Sequence, residues 1–233
     1  MTNFSYSAIL FDLDDTLLDF STCEREAFRK AFTKIEINAS DSEWAKIWQT
    51  YQSIASNYWQ QKQTKGLSRK QVIEISLQDT FTALKFSFPN IPQLAQIYWH
   101  TFCQTACLNP GVEETIKLLS NTYKLSIVTN GYTDSQASRL KVSGLADYFQ
   151  SVVISEAVGY GKPAPEIFTV ALKSLQVKPP EVLFVGDSIT DYQGAVNAGI
   201  DFCYFNQRSQ PLGNWQPKYS IEEMSQLAGL LLG

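Results

Sequence analysis

The chain has 233 residues, of which 44% are hydrophobic and 18% are charged, so its length suits one or two domains with a buried core. This composition excludes an intrinsically disordered chain. The formal net charge of −4 and the lack of a Lys/Arg block argue against nucleic-acid polymers and membranes as main partners, but not against small phosphorylated substrates.

Five short apolar runs predict buried β-strands. They are SAILFDL at 7–13, KLSIVTN at 124–130, SVVIS at 151–155, EVLFVGD at 181–187 and DFCYFN at 201–206. Segments with helical patterns, such as GVEETIKLLSNT and APEIFTVALKSLQV, lie between them. This alternation predicts an α/β fold, a doubly wound parallel sheet with helices on both faces.

Helix-like stretches with no strand between them interrupt the alternation after the first strand. They cover residues 21–37, 40–62, 68–85 and 91–106. The pattern predicts an all-α helical bundle, residues 20–106, inserted after the first strand. That core is then discontinuous, with residues 1–19 and 107–233, and the chain returns to it at Asn109-Pro110-Gly111.

Polar residues stand directly after three of the predicted strands, where an open parallel sheet binds its ligands. In chain order they are Asp12 and Asp14, then Thr129, Asn130 and Gly131, then Asp187 with Asp191 shortly after it. Lys162 lies in a loop before a predicted helix. Each motif alone has an ordinary explanation as a turn, a cap or a surface lysine. Their combination in this order favours a catalytic site.

The acidic residues of this set favour a metal site. Asp12 and Asp14 follow the same strand, and carboxylates crowded in this way are unfavourable unless a cation compensates their charge. Asp187 and Asp191 supply further carboxylates for Mg²⁺, a hard ion that prefers oxygen ligands. Such an ion also allows an anionic phosphate to approach an anionic nucleophile.

The remaining residues suit a phosphate group. Thr129 and the N–H groups of Asn130 and Gly131 stand where a strand turns toward a helix, a geometry that holds phosphate oxygens. Lys162 adds a positive charge. Together these residues predict phosphoryl transfer, in which a carboxylate nucleophile forms an aspartyl-phosphate and Asp14 acts first as acid and then as base.

Four segments carry this chemistry: Asp12-Leu13-Asp14-Asp15-Thr16-Leu17, Val128-Thr129-Asn130-Gly131, Lys162-Pro163 and Gly186-Asp187-Ser188-Ile189-Thr190-Asp191. They resemble the four motifs of the haloacid dehalogenase (HAD) superfamily of phosphatases, and the insertion resembles its type-one helical cap. The resemblance covers essentially the whole core and implies a HAD-like Rossmannoid fold with Mg²⁺-dependent phosphomonoester hydrolysis.

The resemblance also implies a role for each motif residue. It makes Asp12 the nucleophile and Asp14 the general acid and base. It places Thr129 and Lys162 on the substrate phosphate. The metal ligands it implies are Asp12, Asp14 through its main-chain carbonyl, Asp187 and Asp191.

A further stretch narrows the resemblance to one branch. The segments TNGYT at 129–133, Arg139-Leu140, GLADYF at 144–149 and VISEAVG at 153–159 are similar to pyrimidine 5'-nucleotidases of the YjjG type. The branch implies a nucleoside monophosphate as substrate. These segments lie in the core, whereas substrate choice is expected from cap residues that close over the site. Phosphatases of sugar phosphates or phosphoglycolate therefore remain the alternative.

Two other classes remain open but are less favoured. A 2-haloacid dehalogenase needs no proton donor for the departing halide, so the presence of Asp14 argues for phosphate chemistry. A non-catalytic phosphate-binding regulatory protein would not need the complete motif set. The missing G-x-G-x-x-G motif after the first strand excludes a dinucleotide dehydrogenase.

The cap is rich in aromatic residues, most of which we expect to pack in its core. The spacing of Trp44, Trp48 and Tyr51 is that of a buried helix stripe. Phe20 directly follows the first motif and is the candidate for a substrate contact. The single histidine, His100, is expected to be partly buried with a structural role.

The location of the protein in the cell is predicted from motifs that the sequence lacks. No apolar run reaches the ~18 residues of a membrane span, and the N-terminal segment lacks the basic region of a signal peptide. The four cysteines include no C-x-x-C pair that would indicate structural zinc or a disulfide framework. These features predict a cytoplasmic protein. The aromatic-rich cap could equally serve a dimer contact, so both a monomer and a homodimer remain open.

Overall fold

The computed structural model describes residues 6–37, 39–86, 90–207, 209–211 and 213–233. The chain folds into two compact units, one of residues 1–23 with 103–233 and one of residues 24–102. The sequence placed the boundaries after residues 19 and 106. That division remains a prediction, and the two units are described separately below.

The first unit contains a sheet of six parallel strands in the order β3-β2-β1-β4-β5-β6. The strands are β1 (Ala8–Phe11), β2 (Lys124–Thr129), β3 (Ser151–Ile154), β4 (Val182–Gly186), β5 (Asp201–Phe205) and β6 (Tyr219–Ile221). Five of them match the apolar runs, so the α/β fold class is confirmed. The sequence analysis did not predict strand β6, because a strand of three residues is too short to show a pattern of hydrophobic residues.

Strand β1 lies at the centre of the sheet, between β2 and β4. Phe11 at its end pairs with Ile127 on one side and with Val185 on the other. Successive side chains of a strand point to opposite faces, and all four residues of β1 are 0% exposed. Both faces of the sheet are therefore covered, as a continuous apolar strand requires.

Helices account for most of the remaining chain. They are α1 (Phe20–Lys34), α2 (Asp41–Gln60), α3 (Arg69–Ala83), α4 (Ile91–Cys103), α5 (Val112–Leu119), α6 (Thr133–Val142), α7 (Ser155–Val158), α8 (Pro165–Leu175), α9 (Ile189–Ala198) and α10 (Met224–Leu232). Against the sheet, Phe168 of α8 packs on Phe184 of β4 with ring centroids 5.0 Å apart. None of the described helices is long and apolar enough to cross a membrane.

The second unit contains the helical stretches that the sequence predicted, and each ends slightly earlier than expected. Capping boxes at Ser40 and Ser68 fix the starts of α2 and α3. Its core is aromatic: Phe28 is 0% exposed, and its ring lies within 6 Å of five others. These are Phe32, Trp44, Trp48, Tyr51 and Tyr98. The prediction that the Trp44, Trp48 and Tyr51 stripe packs is confirmed.

Candidate active site

Predicted site residues lie at the carboxyl ends of three strands of the first unit, at one edge of the sheet. Asp12 follows β1, Thr129 is the last residue of β2, and Asp187 follows β4. The strand order reverses at β1, which is the switch point at which open α/β sheets bind ligands. The three motifs therefore meet because β1 lies between β2 and β4.

Three carboxylates and one ammonium group form the centre of the site. Oxygens of Asp12, Asp187 and Asp191 lie within 4.8 Å of one another. Lys162 Nζ lies 2.5 Å from Asp12 Oδ1 and 2.7 Å from Asp191 Oδ1. All but Asp187 are buried. The lysine that the sequence assigned to the phosphate is thus paired with two of the acids.

Burial and mutual repulsion change the protonation of this cluster. Burial raises the pKa of Asp12 well above its usual value; Asp191 and Asp187 raise it further, while Lys162 lowers it. Burial and the charges of Asp191 and Asp15 raise the pKa of Asp187 to about 7. Burial lowers the pKa of Lys162, but Asp12 and Asp191 raise it above the usual value, so this side chain stays cationic.

Asp191 is held by the start of helix α9. Its Oδ2 accepts hydrogen bonds from the N–H groups of Asp187 and Ser188 at 3.2 and 3.0 Å and from the Ser188 hydroxyl at 2.7 Å. A Cβ atom on Gly186 would lie 2.7 Å from Asp191 Cγ, so only glycine fits at the end of β4. The sequence analysis placed Ser188 and Gly186 in the fourth motif but gave them no role, and both fix the position of this acid.

Polar groups of the Thr129-Asn130-Gly131 segment form hydrogen bonds with other residues of the chain. The Asn130 amide bridges to the backbone of Lys162: its Nδ2 donates to Lys162 O at 2.9 Å, and its Oδ1 accepts from Lys162 N at 2.7 Å. Gly131 N donates to Ser155 Oγ at 3.0 Å. Asn130 therefore positions the loop of Lys162, whereas phosphate binding by Gly131 N would replace its bond to Ser155.

The carboxylate of Asp14 lies apart from the three-acid cluster and contacts helix α6. Arg139 Nη1 is 2.5 Å from Asp14 Oδ1, and Gln136 Nε2 is 2.9 Å from Oδ2. Both partners are buried, at 0% and 2% exposure. Sequence reasoning assigned no catalytic or binding role to either residue. One signal was available: α6 has few apolar residues, so the face that it buries must include polar ones.

The structure also describes two other residues that the sequence analysis singled out, Phe20 and His100. Phe20, the candidate substrate contact, is half-buried, and its ring centroid lies 5.9 Å from the Arg139 guanidinium carbon. Its aromatic face therefore stands beside the group that holds Asp14. His100 is exposed on α4, so the expectation that it is partly buried was wrong.

An open pocket of about 160 Å³ borders the site. Its lining includes Asp15, Asp187, Tyr204, Asn206 and Gln210. Asp187 therefore faces accessible space, whereas Asp12 and Asp191 are buried. The cluster is open to water and ions from the Asp187 side.

Comparison with known proteins identifies the family. Residues 9–205 match the model of the haloacid dehalogenase-like hydrolases, so the chain belongs to this family. The HAD-hydrolase YfnB of Bacillus subtilis is 30% identical over 232 residues, which cover 97% of this chain and 95% of YfnB. A crystal structure of YfnB bound to magnesium has a TM-score of 0.82 at 29% identity and covers 97% of this chain and 98% of that one.

Two relatives with named activities are phosphatases. The pyrimidine 5'-nucleotidase YjjG of Escherichia coli is 30% identical over 229 residues, which cover 96% of both chains. The glyceraldehyde 3-phosphate phosphatase of Methanothermobacter thermautotrophicus is 30% identical over 235 residues, which cover 96% of this chain and 99% of the relative. The chain is therefore similar to phosphatases of nucleotides and of sugar phosphates.

Proposed function

We propose that the protein is a Mg²⁺-dependent phosphomonoesterase that acts through an aspartyl-phosphate on Asp12, with pyrimidine nucleoside 5'-monophosphates as substrates. The observation that carries the proposal is the cluster of Asp12, Asp187 and Asp191 around Lys162, at the switch point of the sheet. A cytoplasmic location and a monomeric or homodimeric state belong to the same proposal.

The donor set fits Mg²⁺. It offers carboxylate oxygens, the ligands that this hard ion takes, and Asp187 borders open space where bound waters can remain. Asp12, Asp187 and the main-chain carbonyl of Asp14 would hold the ion, with Asp191 behind them. When bound, it neutralises the repulsion among these carboxylates, which adds to burial in raising the pKa of Asp12 and Asp187, and it compensates the charge of the phosphate.

The side chains supply the reaction steps. An Asp12 oxygen attacks phosphorus, so an O–P bond to Asp12 forms while the bond to the ester oxygen breaks. Asp14 gives a proton to that departing oxygen. In the second step Asp14 takes a proton from water, whose oxygen displaces Asp12 from phosphorus and releases inorganic phosphate. Lys162 and Thr129 hold the other phosphate oxygens through both steps.

The choice of substrate rests on the branch resemblance. The segments TNGYT and GLADYF follow the nucleotidase pattern, and the relative YjjG is similar to this chain over nearly its whole length. Phe20 supplies an aromatic face that can stack on a base, a contact worth ~1 to 3 kcal/mol. Sugar phosphates are the second candidate, because the glyceraldehyde 3-phosphate phosphatase is similar to the same degree.

A substrate panel tests both levels of the proposal. Phosphate release is measured from pyrimidine and purine nucleoside monophosphates, glyceraldehyde 3-phosphate and phosphoglycolate, each with Mg²⁺ and with EDTA. We expect Mg²⁺-dependent release that is strongest on a pyrimidine nucleotide. Release confined to sugar phosphates or phosphoglycolate would keep the reaction and overturn the nucleotide assignment. Halide release from a 2-haloacid without phosphate release would overturn the phosphatase itself.

A further inference from the structure

Two buried polar residues, one helical turn apart on α6, contact the acid-base residue and the phosphate-binding threonine together. Arg139 is 0% exposed and Gln136 is 2% exposed. Polar side chains are buried when hydrogen bonds satisfy them, and here the partners are residues of the proposed reaction. We propose that Gln136 and Arg139 are positioning residues that set the placement of Asp14 and the direction of the Thr129 hydroxyl. This inference rests on the proposed phosphatase function.

The carboxylate of Asp14 is held at both of its oxygens. Arg139 Nη1 binds Oδ1 at 2.5 Å and Gln136 Nε2 binds Oδ2 at 2.9 Å, so neither oxygen can turn without breaking a bond. Arg139 is fixed in turn, since its Nε donates to Thr105 O at 3.3 Å. Burial lowers the pKa of Arg139, but Asp14 and Cys23 raise it overall, so the guanidinium stays charged.

The orientation of the Gln136 amide follows from its neighbours. Arg139 has only donors and lies 3.4 Å from Oε1, so this atom of Gln136 is the oxygen. Nε2 therefore faces Asp14 Oδ2 and Thr129 Oγ1, the latter at 3.0 Å. Because an amide nitrogen only donates, Thr129 Oγ1 accepts here and its hydroxyl proton points away from Gln136. That proton is then directed for donation to a substrate oxygen.

Gly131 provides the space that Gln136 occupies. A Cβ atom on Gly131 would lie 2.6 Å from Gln136 Nε2 and 2.9 Å from its Cδ. The backbone at this glycine has no positive φ, so the requirement is one of space. The glycine of the second motif thus keeps Gln136 between Asp14 and Thr129.

The test compares two substrates that differ in their need for a proton. A nucleotide expels an alkoxide that must be protonated, whereas p-nitrophenyl phosphate expels a stable phenolate. The ratio of their kcat/KM values reports the proton transfer by Asp14, because kcat/KM covers steps up to formation of the phosphoenzyme. A residue needed only for folding lowers both values equally and leaves the ratio unchanged.

The variants separate the two contacts. Arg139→Lys should lower kcat/KM on the nucleotide by about 10- to 100-fold, a part of the roughly 100- to 10,000-fold effect of a general acid, because Asp14 is misplaced and not removed. It should change kcat/KM on p-nitrophenyl phosphate by less than about 3-fold. Gln136→Met should show the same selective loss and also raise KM for both substrates through Thr129. Lys141→Ala, an exposed change on the same helix, is the control. Melting temperatures show which variants fold. If Arg139→Lys does not fold, Gln136→Met alone is sufficient for the test.

The outcomes are distinct. A selective loss on the nucleotide supports the inference. An equal loss on both substrates, or no loss, in a folded Gln136→Met variant overturns it while the phosphatase stands. A wild-type protein that hydrolyses neither substrate with Mg²⁺ overturns the proposed function, and this inference with it.

Discussion

Lys162 Nζ lies 2.5 Å from Asp12 Oδ1, so the cation of the third motif is paired with the carboxylate of the first. The same ammonium lies 2.7 Å from Asp191 Oδ1. Lys162 thereby compensates the repulsion between two buried acids and stands next to the oxygen proposed to attack phosphorus. Its role in stability and its role in catalysis are separable by measurement.

Replacement of Lys162 by Met should destabilise the metal-free protein. The change leaves Asp12 and Asp191 buried without their cation, and breaking a buried pair from one side costs about 3 to 5 kcal/mol. Denaturant unfolding in EDTA measures this cost. The matched control is Lys218→Met, which breaks a partly exposed pair with Asp201 and should cost about 1 kcal/mol or less. Equal losses in the two variants would contradict the central position of Lys162.

The stability of the metal-free protein should fall as pH rises from about 4 to about 7. The pKa of Asp187 is raised from 3.8 to about 7, so in this range the folded state holds a proton that the unfolded state has released. Asp12 acts in the same direction, whereas the raised pKa of Lys162 affects only alkaline pH. Melting temperatures in EDTA across this range measure the slope.

The Asp187→Asn variant is the control for that slope, because it removes the titrating group. Its melting temperature should change less with pH than that of the wild-type protein. Added Mg²⁺ should raise the wild-type melting temperature most at the upper end of the range, where the carboxylates are ionised. Parallel pH curves for the two proteins would contradict the assignment to Asp187.

Gly131→Ala should impair catalysis with little effect on the fold. The added Cβ would displace Gln136 Nε2, 2.6 Å away, and so disturb both Asp14 and Thr129. We expect a loss of about 10-fold or more in kcat/KM on a nucleotide, measured by phosphate release. Gly229→Ala is the control, because a Cβ there meets nothing within 4 Å and alanine favours the helix by up to about 1 kcal/mol. Full activity of Gly131→Ala would show that Gln136 is dispensable.

Phe20→Ala should raise KM for a pyrimidine nucleotide about 5-fold or more, the loss of ~1 kcal/mol or more of base stacking. KM for p-nitrophenyl phosphate, which has no base, should change much less. Steady-state kinetics on both substrates measure the difference. An equal rise on both would mean that Phe20 acts through Arg139, which lies beside its ring, and not through the base.

The sequence predicted those parts of the fold that depend on long apolar runs. Strands β1, β2 and β4 are buried on both faces, so each reads as a continuous hydrophobic segment that ends in polar residues. The parallel topology then places Asp12, Thr129 and Asp187 at one edge without further information. Strand β6, with three residues of which one is exposed, carries no such signal.

The contacts of the polar partners of the site could not be predicted from the sequence, although the scarcity of apolar residues in α6 indicates that some polar residues are buried. Gln136 and Arg139 lie in a segment whose composition is that of a surface helix, and only the turn from β2 into α6 buries them beside Asp14. The pairing of Lys162 with Asp12 depends on a loop held by the Asn130 side chain. Hydrophobic periodicity contains no information on contacts between such distant polar residues.

The most direct test of the account is phosphate release from a pyrimidine nucleoside monophosphate by the wild-type protein and by Asp12→Asn, with Mg²⁺ and with EDTA. We expect turnover by the wild-type protein that requires Mg²⁺, and a loss of about 1,000-fold or more in a folded Asp12→Asn variant. Turnover by Asp12→Asn at the wild-type rate, or wild-type turnover that EDTA leaves unchanged, would contradict it.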